Sequence, residues 1–127
     1  IIIHVEMKGD LAKAIAQIKD QVEIGLALNI ETDIALIEKY IGDIQFIQCM
    51  GIDNIGFQGQ SFDDKVIEKI KLILSIYPEL TISVDGGVSL DSAPRLIEAG
   101  ANRLVVGSAI FNAENSFDAI EAFKRLC

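Results

Sequence analysis

Tryptophan is absent, and proline, cysteine and histidine occur two, two and one times. Two cysteines, Cys49 inside an apolar run and Cys127 at the end, cannot frame a disulfide scaffold and show no metal-ligand spacing, which points to a reducing compartment. Basic residues are also scarce: 11 Lys and Arg face 19 Asp and Glu, for a net charge of −8, and they form no cluster. That balance argues against a nucleic-acid backbone or an anionic membrane surface as partner. The apolar runs are of strand length, too short to span a bilayer, and no segment resembles a signal peptide, so the expected location is the cytoplasm. What is present is a chain of 127 residues, 50% hydrophobic and 24% charged, the profile of one soluble globular unit. A chain of this size buries roughly two thirds of its unfolded surface. It has no initiator methionine, and Ile1 to Glu6 reads as a strand from the first residue, so a longer parent polypeptide is expected.

Short β-branched runs alternate with stretches of 3.6-residue apolar spacing from one end to the other. The pattern predicts strands near Ile1 to Glu6, Glu23 to Leu28, Ile44 to Met50, Leu80 to Asp85 and Asn102 to Gly107. Helices are predicted near Leu11 to Asp20, Asp33 to Tyr40, Asp63 to Ile76, Ser92 to Ala99 and Ser116 to Leu126. Ser61 is the expected cap of the longest helix, Pro94 sits in a first turn, where a missing N–H is harmless, and Gly100 is placed to terminate its helix. Alternation with short connections implies parallel strands joined by right-handed crossovers, without a linker dividing the chain.

Five βα units fit either a complete doubly wound sheet or five-eighths of a (β/α)8 barrel, which normally needs ~250 residues. The glycines favour the barrel. Asp85-Gly86-Gly87 and Gly107-Ser108-Ala109 follow the last two strands, where barrels often build a phosphate site, whereas the first strand is followed only by Met7-Lys8-Gly9-Asp10. The strands present are then the barrel's fourth to eighth.

Asp85 is the strongest candidate for chemistry. It ends an apolar strand at the carboxyl edge, where a carboxylate can move a proton or bind a divalent metal, and two glycines follow that let backbone amides approach an anion; an Asp-Gly turn is the plainer alternative. Gly107-Ser108 precedes a short helix, Ala109-Ile110-Phe111, and makes a phosphate cradle or a simple strand-to-helix turn. The long connection containing Gly56-Phe57-Gln58-Gly59 is expected to face ligand, with Phe62 in the core. His4 and Glu6 share one face of the first strand, and Asn29 follows the second; each is open to a structural or a site-supporting role.

Together, His4-Val5-Glu6, Gly25-Leu26-Ala27-Leu28-Asn29, Gly56-Phe57-Gln58-Gly59-Gln60-Ser61-Phe62, Val84-Asp85-Gly86-Gly87-Val88 and Gly107-Ser108-Ala109-Ile110-Phe111 resemble the ribulose-phosphate 3-epimerase family in order and spacing across essentially the whole chain. The resemblance implies a (β/α)8 barrel isomerase interconverting D-ribulose 5-phosphate and D-xylulose 5-phosphate through an enediolate. It implies Asp85 as catalytic acid or base and ligand of a divalent cation (zinc, iron, manganese or cobalt) that stabilises the oxyanion. It implies Gly86, Gly87, Gly107 and Ser108 as phosphate holders and Gly56, Phe57, Gln58 and Gly59 as the substrate loop. The family's second aspartate and remaining metal ligands lie on strands absent here, so this chain alone should not epimerise. Met50 to Ile55 and Gln58 depart from the family pattern, which keeps a hexulose-phosphate 3-epimerase as an alternative, beside a noncatalytic phosphate-binding half-barrel. A five-strand piece leaves two open edges, so a homo-oligomer is expected.

Overall fold

The computed structural model describes residues 1–52 and 61–126. Five parallel strands form one sheet in the order β1 (Ile2–His4), β2 (Gly25–Leu28), β3 (Phe46–Met50), β4 (Thr81–Asp85) and β5 (Arg103–Val105). Strand order equal to chain order separates the two architectures. A doubly wound sheet reverses direction at a switch point, whereas a barrel adds each strand beside the last and keeps every helix on one side.

Side-chain burial agrees with that arrangement. Leu26, Leu28, Ile47, Cys49, Ile82 and Val84 pack in one core with Ile15 of α1 (Leu11–Ile18), Ile37 and Tyr40 of a 3₁₀ helix (Ile34–Asp43), Ile70 and Ile73 of α2 (Lys65–Ile76), and Leu96 of α3 (Ser92–Ala99). The alternate strand residues, among them His4, Ala27, Gln48 and Ser83, lie in one register row on the opposite face, the barrel interior. The helices from α1 to α3 therefore cover one face of the sheet, and Asp85 stands where β4 ends. After β5 the chain forms a short helix α4 (Ser108–Phe111) and a final α5 (Ser116–Lys124) that buries no residue; its Phe117 is 81% exposed.

Three expectations need correction. The segment expected as an α-helix from Asp33 is a 3₁₀ helix: Asp33 accepts the Ala35 N–H through its carboxylate and the Leu36 N–H through its carbonyl, starting a tight i to i+3 spiral. Such a helix rises about 2.0 Å per residue, so this connection covers the return along the sheet with fewer residues. Ser61 is not the cap of α2. Asp64 occupies that position, and Asp63 accepts the Lys65 N–H at 2.9 Å, because α2 begins four residues beyond Ser61. The strands are also shorter than predicted, β1 ending at His4 although the Val5 N–H still bonds Ala27 O at 3.0 Å. Gly100 does terminate α3, in the left-handed conformation at φ +107°.

Phe46 fills the interior beside Gly25. Its ring occupies the space a side chain at Gly25 would need, 2.2 Å from where a Cβ would stand, and the Arg103 guanidinium lies 4.8 Å from its centre. Arg103 then reaches Glu23 at 2.9 Å, crossing the sheet from β5 to the start of β2.

Candidate active site

Asp85 ends β4 in register with Met50 on one side and Val105 on the other. Its carboxylate is half-buried, and burial pushes its pKa above the usual aspartate value; the Gly86 N–H and the nearby His4 pull the other way. Gln48, one row deeper in the interior, donates its side-chain amide to Asp85 Oδ2 at 3.3 Å and accepts from the Ser83 hydroxyl at 3.5 Å. Gln48 and the Gly86 N–H thus hold the carboxylate, and a half-buried carboxylate at a strand end can exchange a proton with a bound ligand.

The turn that follows cannot be built from other residues. Gly86 and Gly87 stand at φ +97° and +67°, and a Cβ on Gly87 would lie 2.7 Å from the Phe62 Cα. The Gly51 N–H donates to Asp85 O at 2.8 Å, and Gly51 O accepts the Asp63 N–H at 3.0 Å, so the segments after β3 and β4 are stitched together. Ser92, buried at the start of α3, donates to Gly87 O at 3.1 Å and fixes the turn from behind. Phe62 packs against the core as expected.

Gly107 and Ser108 follow β5, the neighbour of β4, so both glycine turns open at the same sheet edge. Gly107 O accepts the N–H groups of Ile110 at 2.9 Å and Phe111 at 3.1 Å, forming the short helix expected from the sequence. A Cβ on Gly107 would meet nothing within 4 Å, which leaves room beside it. Gly56, Phe57, Gln58 and Gly59 lie outside the described residues.

On the other flank, His4 Nδ1 is 3.5 Å from Glu6 Oε2. Burial raises the pKa of Glu6, but the Asn29 N–H at 2.9 Å, the Thr32 hydroxyl and His4 outweigh it and hold the carboxyl below its ordinary value. Cys49 is no nucleophile: burial pushes its thiol up to about 12. Sequence reasoning overlooked two residues. Gln48 is a polar residue in an otherwise apolar strand and alternates onto the interior face. Lys69 stands at helical spacing among the buried Val66, Ile70 and Ile73, and that interruption of an apolar stripe was the signal for it.

The sequence model of the ribulose-phosphate 3 epimerase family matches residues 1–111. The chain belongs to the ribulose-phosphate 3-epimerase family. It is 38% identical to the ribulose-phosphate 3-epimerase of Bacillus subtilis over 96% of this chain and 58% of that protein. It is 35% identical to the chloroplastic ribulose-5-phosphate-3-epimerase of Arabidopsis thaliana, over 96% of this chain and 46% of the relative. The chain thus spans about half the length of the curated relatives it matches. Among solved structures, 3-hexulose-6-phosphate synthase from Salmonella typhimurium superposes with a TM-score of 0.75 at 13% identity, covering 98% of this chain and 59% of that one. KGPDC from Streptococcus mutans superposes with a TM-score of 0.68 at 23% identity, covering 90% of this chain and 52% of that one. These neighbours support the fold: five βα units of a partial (β/α)8 barrel.

Proposed function

We propose that residues 1–127 form one unit, the C-terminal portion of a ribulose-phosphate-binding barrel that is a sugar-phosphate 3-epimerase interconverting D-ribulose 5-phosphate and D-xylulose 5-phosphate. The observation that carries this reading is the shared edge at which the Asp85 carboxylate, Gly86-Gly87 and Gly107-Ser108 meet on adjacent strands. A carboxylate beside an anion cradle suits a phosphorylated ketose whose carbon acid lies a few atoms from its phosphate. Asp85 removes or returns the proton at C3, with Gln48 holding it toward the interior. Inversion at C3 requires a second acid–base group on the opposite face of the sugar, and among the described residues of this chain none pairs with Asp85 in that role. Backbone amides of Gly86, Gly87, Gly107 and Ser108 hold the phosphate, and the Gly56-Phe57-Gln58-Gly59 segment covers the sugar.

A divalent cation belongs to the proposal through family membership, with Asp85 as the ligand this chain offers. Among the described residues no three His, Cys, Asp or Glu side chains gather as a metal site requires. These residues alone do not complete such a site. The edges β1 and β5, with Ile2 45% and Val105 44% exposed, support association with further strands or a second copy. No helix among the described residues is long and apolar enough to cross a membrane.

The test is a coupled assay on the full-length protein, offered D-ribulose 5-phosphate and a hexulose 6-phosphate in parallel. Formation of xylulose 5-phosphate supports the reading, preferred turnover of the hexulose phosphate reassigns the substrate, and turnover of neither removes catalysis.

A further inference from the structure

The loop following β2, residues 29–32, is gripped from two sides by opposite charges. Lys69 of α2, 9% exposed, donates its ammonium to the carbonyls of Asn29 at 2.9 Å, Ile30 at 2.6 Å and Thr32. These contacts use all three donors of the ammonium on one short loop. Glu6 accepts from the Asn29 N–H and the Thr32 hydroxyl of the same loop. The cation takes the loop's acceptors and the anion its donors.

Packing alone does not call for this arrangement. Lys69 occupies an apolar stripe with Val66, Ile70 and Ile73, where an aliphatic side chain would fill the space without a desolvated charge. The grip fixes Asn29, which lies two residues beyond Ala27 on the inward side and so falls in the layer of Met50 and Asp85. Its Oδ1 is buried and has no hydrogen-bond partner among the described residues. A buried acceptor without a donor is rare in native proteins and calls for a partner, which a water or a ligand group can supply.

We propose that Lys69 and Glu6 are positioning residues that lock loop 29–32 so that Asn29 presents its side-chain carbonyl to a hydroxyl of the bound sugar phosphate. The proposal rests on the epimerase reading above and specifies how that site recognises its substrate. Asn29 touches the sugar; Lys69 and Glu6 act only through it.

The test is a double-mutant cycle in the full-length protein, read as kcat and KM for ribulose 5-phosphate at a temperature where every variant is folded. Lys69→Met and Asn29→Ala are each expected to lower kcat/KM about tenfold or more, and the double variant to be no worse than Asn29→Ala, since contacts that act in series do not add. Glu6→Gln, which keeps an accepting oxygen, is expected to recover most of what Glu6→Ala loses. Ile70→Val, a neighbouring core change, controls for general loosening. Additive losses in the cycle, or an equal loss in Ile70→Val, overturn the proposal. If Lys69→Met does not fold, the Glu6→Ala and Asn29→Ala pair completes the same cycle and decides it. If the parent protein binds but does not epimerise the sugar phosphate, the epimerase reading fails, and the cycle measured as calorimetric affinity for ribulose 5-phosphate decides the positioning role. A parent that does not bind it overturns both.

Discussion

Gln48 holds Asp85 from one layer deeper in the sheet interior, its amide nitrogen 3.3 Å from Oδ2. The contact joins neighbouring strands through side chains and ties the carboxylate to the interior face. Gln48→Leu is expected to deprive Asp85 of that donor, raise its pKa further, and shift the acid limb of the kcat/KM profile to higher pH. A pH–rate series on the variant and the parent checks this; superimposable profiles would show that the contact is incidental.

Asp85 and Glu6 respond oppositely to pH. The Asp85 pKa is raised on folding by burial, so the folded state holds its proton more tightly, and stability is withdrawn as pH rises from the usual aspartate value through the raised one. Asp85→Asn is therefore expected to melt higher than the parent at neutral pH, with the advantage fading in acid. Glu6 is lowered, despite the opposing effect of burial, by the Asn29 N–H, the Thr32 hydroxyl and His4. Its contribution is present above the unfolded pKa and is lost as pH falls through the folded one, so Glu6→Gln should be destabilising at neutral pH and neutral in acid. Thermal melts across the acid range separate the two.

Gly87 and Gly107, both proposed to hold the phosphate, differ in the room that a side chain would find. At Gly87 a methyl group meets the Phe62 backbone at 2.7 Å with φ at +67°, and Gly87→Ala is expected to cost about 1–3 kcal/mol of stability. At Gly107 the same methyl meets nothing within 4 Å, so Gly107→Ala should leave stability within about 0.5 kcal/mol while raising KM for the sugar phosphate. Urea unfolding and steady-state kinetics on the pair check both.

Cys49 offers a probe of the core. Its thiol is buried in the interface between sheet and helices and pushed up to about 12 by burial. In a Cys127→Ser background it is expected to resist a thiol reagent in the native protein and to react fully in urea. Rapid native labelling would mean that α2 detaches from the sheet.

The sequence announced the alternation of elements and the strand-end placement of Asp85, because period-2 and period-3.6 patterns and Asp-Gly punctuation are local signals. It announced the barrel over the doubly wound sheet only indirectly, through where the glycines fall; strand order then decided it. The 3₁₀ helix at Ile34–Asp43 was illegible because its apolar spacing also satisfies an α-helix, and only the bonds from Asp33 distinguish the two. Gln48 and Lys69 were missed because each acts across elements far apart in the chain, Gln48 on Asp85 and Lys69 on the loop after β2. A polar residue breaking an apolar stripe is the trace that such distant partners leave.

Proton exchange at C3 tests the central claim most directly. The full-length protein is incubated with D-ribulose 5-phosphate in deuterated water and followed by NMR, beside its Asp85→Asn variant. The account predicts deuterium at C3 and xylulose 5-phosphate with the parent, and a fall of about 10²- to 10⁴-fold in both with the variant. Exchange in the variant at the parent's rate would show that Asp85 is not the proton-transfer group.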